Sequence, residues 1–355
     1  MSPTYYLSGT ASSPSSVASQ FSYLVNALSG EGFALVEDFP ADLFVSINHN
    51  PIQYGRYIAS GGNSEKAVLI LLEPPAVYPS QYKSNSLDRY SLVLAPGSFK
   101  FIANGDDFIP WPYEAIPNPL SPSGEISDLA GVVKQAVEEC VFDYQNWTNR
   151  KYFLSMINAN KVSPVKTENY TLRREYAREL DAEKFFVFGN FWNSSLKSKI
   201  RLRLSILVFS LRNSFIPNLK HIYGNLHWRF NTSRGAISDK QQILQSSKFS
   251  LVIENDDSYI SEKLIDSLVN GCIPIYRGPR IPSEVMPKDL FLELPKMPKD
   301  LIPALEQLSE FEVKRILKKI AEYVSSENFI SRWDKRVVFT QCANTISERF
   351  GELDE

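Results

Sequence analysis

Apolar residues in this chain gather in short runs, set apart by polar stretches that contain Gly and Pro. Runs at 33–36, 43–47, 68–72 and 90–94 have the length of buried strands. Val17, Phe21, Leu24 and Val25 keep helical spacing and predict a helix over 16–28. A loop at 109–124 carries five prolines and leads out of this first region, and a helix is predicted over 126–143. Buried strands alternating with helices are the signature of a mostly parallel sheet.

The alternation resumes near residue 151. Strands are predicted at 152–157 and 185–188, helices at 172–180 and 202–211, and a strand end at 221–224. The clearest pattern lies at 248–278. Strands at 249–253 and 273–276 enclose a helix on which Ile260, Leu264, Ile265, Leu268 and Val269 share one face. Ser258 can cap its start, and Gly271 suits the residue just past its end. The tail beyond 301 is helical and charged.

The 355 residues make two α/β domains the natural division, at 1–150 and 151–355. With 43% hydrophobic and 22% charged residues the chain is globular, and a net charge of −2 without a basic run excludes nucleic acid as a partner. Three cysteines (Cys140, Cys272, Cys342) without paired spacing point to a reducing compartment rather than a disulfide frame or zinc site. No signal peptide opens the chain and no transmembrane run occurs, so the expected location is cytoplasmic; peripheral membrane contact stays open. Asp-X-Asp, P-loop, HExxH and GxSxG signatures are missing.

Ligands of open α/β sheets sit beyond the carboxyl ends of the strands. Beyond the strand at 249–253 stand Glu254, Asn255, Asp256 and Asp257, and the next helix begins with Tyr259, Glu262 and Lys263. A helix N-terminus with an added lysine can hold a phosphate. Spacing alone leaves open that Glu262 and Lys263 are a solvated helix start.

The same stretch resembles the donor-binding motif of the family-ten glycosyltransferases, the α-1,3/1,4-fucosyltransferases. The resemblance runs through Lys248-Phe249, Glu254-Asn255, Tyr259-Ile260-Ser261-Glu262-Lys263 and Pro274-Ile275-Tyr276-Arg277-Gly278. Residues 155–161 with Arg173-Arg174 look like the family's first C-domain strand and the helix after it. Phe188-Gly189-Asn190-Phe191-Trp192 resembles its Tyr-Gly-x-Gly-Trp turn, with Phe191 in place of a common Gly. Asp239-Lys240 opens a helix that leads into Lys248, as in bacterial members. In the first domain, 42–47 and Ile70-Leu71-Leu72-Glu73-Pro74 are similar to family strands, the second ending at the Glu that serves as base.

The resemblance implies two Rossmann-like domains facing across a cleft, the GT-B arrangement. It implies transfer of L-fucose from GDP-fucose to a glycan acceptor with inversion and in α-1,3 linkage, and no metal or other cofactor. Glu73 would be the general base, Arg173 and Lys263 would stabilise the leaving diphosphate, and Glu262 would offset charge on the sugar or hold a ribose. Asn255, Tyr259, Lys248 and Arg174 are expected at the donor, and His49 near the acceptor. A GT-B transferase for another nucleotide sugar, or a catalytically silent glycan-binding relative, are the competing readings.

Overall fold

A computed structural model of the chain describes residues 2–9, 13–95, 107–108, 128–193, 200, 204, 207–208, 230–258 and 260–351. It divides into two units, Met1–Pro112 with Ser331–Glu355, and Tyr113–Ile330. The first unit holds strands β1 (Thr4–Ser8), β2 (Ala34–Val36), β3 (Leu43–Ile47), β4 (Ala67–Ile70), β5 (Leu92–Ala95) and β6 (Asp107–Phe108). Their order is β2-β1-β3-β4-β5-β6, and every pairing is parallel. All residues of β3 and β4 are buried, which is why both stand out as apolar runs. The direction of winding reverses between β1 and β3.

The helix expected over 16–28 is two helices, α1 (Pro14–Gln20) and α2 (Ser22–Gly30). They part at Phe21, whose backbone (φ −117°, ψ 40°) is not helical. After β3 comes α3 (Pro51–Ala59), capped by Asn50, and a short α4 (Ser84–Leu87) precedes β5.

The second unit opens with α5 (Leu129–Glu138) and α6 (Tyr144–Thr148). Its sheet contains β7 (Tyr152–Ile157), β8 (Phe185–Phe188), β9 (Ser233–Gly235), β10 (Ser247–Ile253), β11 (Ile273–Arg277) and β12 (Leu292–Glu293). The order β12-β11-β10-β7-β8-β9 is again parallel throughout. Counted within the unit, that is the 3-2-1-4-5-6 order of the dinucleotide-binding folds, with its switch point between β7 and β10. Helices α7 (Tyr170–Glu179), α8 (Lys240–Gln245), α9 (Glu262–Val269), α10 (Pro298–Glu306), α11 (Glu310–Val324) and α12 (Glu327–Trp333) complete it, the last turn of α12 passing the boundary after Ile330.

The division differs from one at residue 150 for two physical reasons. Residues 141–150 are tied to the second sheet: Trp147 Nε1 donates to the Lys248 carbonyl at 2.9 Å, and the Arg150 guanidinium binds the carbonyls of Val141, Ser247 and Gly271 at 2.8–2.9 Å. The last helix, α13 (Lys335–Phe350), packs instead on α2, and Phe339 meets Phe21 edge-on at 5.9 Å. The segments expected as the loop at 109–124 and the strand end at 221–224 lie outside the described residues, as do most of 202–211, His221 and His227. No helix among the described residues is long and apolar enough to cross a membrane.

Candidate functional site

The switch point of the second unit is framed by the chain leaving β7 (Asn158 to Lys161) and the chain leaving β10 (Glu254 to Asp257). Helix α9 begins beside it. Its cap is Ser261 and not Ser258: Asp256 takes the Ser258 N–H at 2.9 Å and also its hydroxyl, so Ser258 closes a turn before the helix starts. Gly271 follows the helix in the left-handed region (φ 61°), where a Cβ would lie 2.7 Å from the Val141 carbonyl.

At the N-terminus of α9 a charge cluster is built around Ser261. Its N–H and hydroxyl donate to the two carboxyl oxygens of Glu254 at 2.9 and 2.5 Å, and its Oγ receives Lys263 Nζ at 2.8 Å. Lys263 Nζ also lies 3.3 Å from Glu262 Oε1 and 3.9 Å from Glu254 Oε2. Lys240 reaches Glu262 Oε1 at 3.7 Å and bonds the fully buried Asp266. Burial, which outweighs the nearby Lys263, raises the Glu254 carboxyl above its ordinary range. Burial also pushes Glu262 up, but Lys263 and Lys240 together overcome it and hold that carboxyl at about 2. Two ammonium groups thus face three carboxyls, and a phosphate arriving here competes with Glu262 and Glu254 for Lys263.

Both adjacent arginines of α7 are buried, Arg173 on the β10 side and Arg174 on the β7 side. Arg173 donates through Nε to the Ile253 carbonyl at 3.0 Å and through Nη2 to the same oxygen and to Asn255 Oδ1 at 3.0 Å. Arg174 donates to the Lys161 carbonyl at 2.6 Å and to Thr171 Oγ1 at 2.9 Å. Arg173, expected at the diphosphate, thus has its guanidinium at the end of β10, where it orients Asn255 in the wall of the switch point. Lys248, also expected at the donor, lies towards the other end of that strand. It stands at the start of β10 with its ammonium over the Trp147 ring at 5.5 Å, and five strand residues separate it from Glu254, a span of about 20 Å. Tyr259 lies outside the described residues.

The turn after β8 explains the Phe at a glycine position. Phe191 has φ 70°, in the left-handed region that glycine occupies without cost. It is fixed there because Trp192 Nε1 donates to the Asn158 carbonyl at 2.6 Å, and because Gly189 sits so close that a Cβ would lie 2.2 Å from that oxygen.

In the first unit Glu73 is half-buried three residues beyond the end of β4. Its N–H and that of Leu72 donate to Asn48 Oδ1 at 3.0 and 2.9 Å. Its carbonyl accepts from Gln81 Nε2 and Tyr82 OH, both at 2.6 Å. His49 is buried, with Nδ1 2.8 Å from Tyr90 OH, and burial with help from Arg89 lowers its pKa to about 4. The imidazole expected at an acceptor is thus a neutral core group. Sequence reasoning gave no role of their own to Ser261, Lys240, Asn48 or Gln81. Ser261 had a signal, since a hydroxyl directly before Glu-Lys is as good a cap as Ser258.

No family model matches the chain. Over 114 residues, 31% of this chain and 20% of the relative, it is 32% identical to a fucosyltransferase-like protein of Arabidopsis thaliana. The chain thus spans about a fifth of the length of that curated relative. An α1,3-fucosyltransferase with GDP superposes with TM-score 0.53 at 14% identity, covering 98% of this chain and 90% of the other. Anabaena HepE with UDP gives 0.53 at 13%, covering 98% and 100%. A glycosyltransferase from Rickettsia africae ESF-5 gives 0.51 at 11%, covering 98% of both chains. The fold is GT-B. In GT-B terms the two parallel sheets are the paired Rossmann-like units expected from the sequence, and the resemblance read at 248–278 agrees with the fucosyltransferase-like relative.

Proposed function

We propose that the chain is a glycosyltransferase that moves L-fucose from GDP-fucose to a glycan hydroxyl with inversion, in α-1,3 linkage, without a metal, in the cytoplasm. The observation that carries this reading is the second unit's switch point, where Lys263, Ser261 and the first N–H groups of α9 gather beside the end of β10. A diphosphate is the ligand that such a helix start and ammonium suit.

In this reading the acceptor oxygen attacks the anomeric carbon as the bond from that carbon to the diphosphate breaks. The acceptor proton passes to Glu73, and GDP leaves with the bonding electrons. Lys263 and the helix N-terminus stabilise the growing charge on the diphosphate. Glu262, ionised at neutral pH because two lysines flank it, offsets positive charge on the sugar ring or holds a ribose hydroxyl. Asn255, fixed by Arg173, orients the donor.

Thermal unfolding with nucleotides tests the reading. A ligand at a hundredfold excess over its Kd stabilises the native protein by about 2.7 kcal/mol, so GDP and GDP-fucose should raise the melting temperature and UDP should not. Release of GDP in the presence of a glycan library should survive EDTA; its abolition, with recovery on adding Mn²⁺, would overturn the metal-free reading. One observation favours a second reading, a UDP-sugar donor: the match to HepE with UDP has the same TM-score of 0.53 as the match to the fucosyltransferase with GDP. A melting shift with UDP-glucose alone selects it.

A further inference from the structure

Strand β4 pairs with β3 as far as Ile47 opposite Ile70, and the Asn48 N–H adds a last ladder bond to the Ile70 carbonyl at 2.8 Å. There the backbone of Asn48 swings into the left-handed region, φ 59°, and β3 turns away. The N–H groups of Leu72 and Glu73 lie beyond the last ladder bond to that strand. The Asn48 side chain replaces it: one carbonyl oxygen, on a residue only 7% exposed, accepts both. Asn is among the few residues that adopt this conformation at low cost, and its short amide is what reaches back. Asn48 is itself held, its carbonyl accepting from Ser46 Oγ at 2.6 Å.

The carbonyl end of Glu73 is clamped by Gln81. Its Nε2 donates to the Glu73 carbonyl, and its Oε1 accepts the His49 N–H at 3.1 Å. Gln81 is fully buried. The chain after β3 and the turn carrying Glu73 are therefore cross-linked twice, by amide side chains with fixed rotamers. Pro74 beyond Glu73 holds that residue extended. Such a frame sets the position of Glu73 Cα and hence the arc its carboxylate sweeps.

We infer that Asn48, seconded by Gln81, is the positioning residue for the carboxylate of Glu73. The inference rests on the reading of Glu73 as general base, and a double-mutant cycle separates the two. GDP release from GDP-fucose with a glycan library gives kcat and KM for Glu73→Gln, Asn48→Ala, Asn48→Asp and the Ala/Gln double variant. With a base at position 73, Glu73→Gln lowers kcat by at least about a hundredfold. Asn48→Ala lowers kcat by at least about tenfold, since small misplacements of a reacting group cost this much or more, and leaves KM for GDP-fucose unchanged. Asn48→Asp keeps the acceptor and the backbone conformation and stays within about threefold of wild type. In the Glu73→Gln background the Asn48→Ala change has no further effect on kcat, because the group it positions is gone. An equal loss from Asn48→Ala in both backgrounds makes Asn48 merely structural and overturns the inference. So does wild-type kcat in Asn48→Ala. Should Asn48→Ala fail to fold, Gln81→Met, cycled against Glu73→Gln in the same way, gives the same decision. Wild-type kcat in Glu73→Gln overturns the base reading itself, and the inference with it.

Discussion

Lys263 and His49 show how burial changes what a charged side chain can do. The Lys263 ammonium is held among Ser261, Glu262 and Glu254, so its removal takes away a phosphate partner and leaves two carboxyls facing each other. Lys263→Ala should therefore weaken GDP binding and slow transfer together, by roughly 2–4 kcal/mol in transition-state stabilisation; unchanged GDP affinity by calorimetric titration would move the phosphate site elsewhere. His49 bears on stability instead. Its folded pKa is about 4 against an ordinary 6.5, so the unfolded chain binds a proton that the folded protein refuses between those values. The contribution is intact above pH 6.5 and is lost as the pH falls towards 4, by roughly 3 kcal/mol in all. Thermal unfolding between pH 4 and 7 should show this slope, and His49→Gln should flatten it.

At the scale of elements, helix α9 depends on one hydroxyl. Ser261 caps the helix by accepting the Lys263 N–H and donates to the buried Glu254 carboxyl. Ser261→Ala should cost roughly 2–4 kcal/mol, combining a lost cap with a buried carboxyl short of a donor. Ser258→Ala should cost clearly less, and equal melting temperatures for the two variants would sink this assignment. The sequence offered both serines, and only the turn at Asp256 decides between them. Strands were more legible than caps: 43–47, 152–157 and 185–188 have the observed bounds because buried parallel strands are apolar on both faces. β1 escaped notice because Thr4–Ser8 is five residues of mixed polarity, although Tyr5 and Leu7 are fully buried. In the site, Glu254, Asn255, Glu262 and Lys263 could be read from their order along the chain. The direction taken by Arg173, the place of Lys248 and the clamp at Asn48 could not, since each depends on which strand end a side chain reaches.

For the whole molecule, the sequence supplies two units but conceals that the first is discontinuous. The charged appearance of 335–350 hides Val338, Phe339, Cys342, Ala343, Ile346 and Phe350, all buried. Asp334 caps this helix and is itself 2% exposed, and Trp333 before it is fully buried. Burial of large apolar side chains stabilises by about 1.5–3 kcal/mol each, so losing this set exceeds much of the 5–15 kcal/mol by which a domain is typically stable. A chain ending at Ile330 should therefore lose the folded first unit, while the second, Tyr113–Ile330, keeps its own sheet and core. Calorimetry of the full chain and of the truncated one tests this. The truncated chain should show a smaller unfolding enthalpy and a transition that GDP still raises, since the proposed nucleotide site lies wholly in the second unit. A fragment of residues 1–150 should give no cooperative transition, because it lacks α13 and carries α5 and α6 without the helix α9 and strand β10 they pack on. Cooperative unfolding of that fragment, or full enthalpy in the chain cut at 330, would show that the C-terminal helix only decorates the first unit and that the division lies near residue 150 after all.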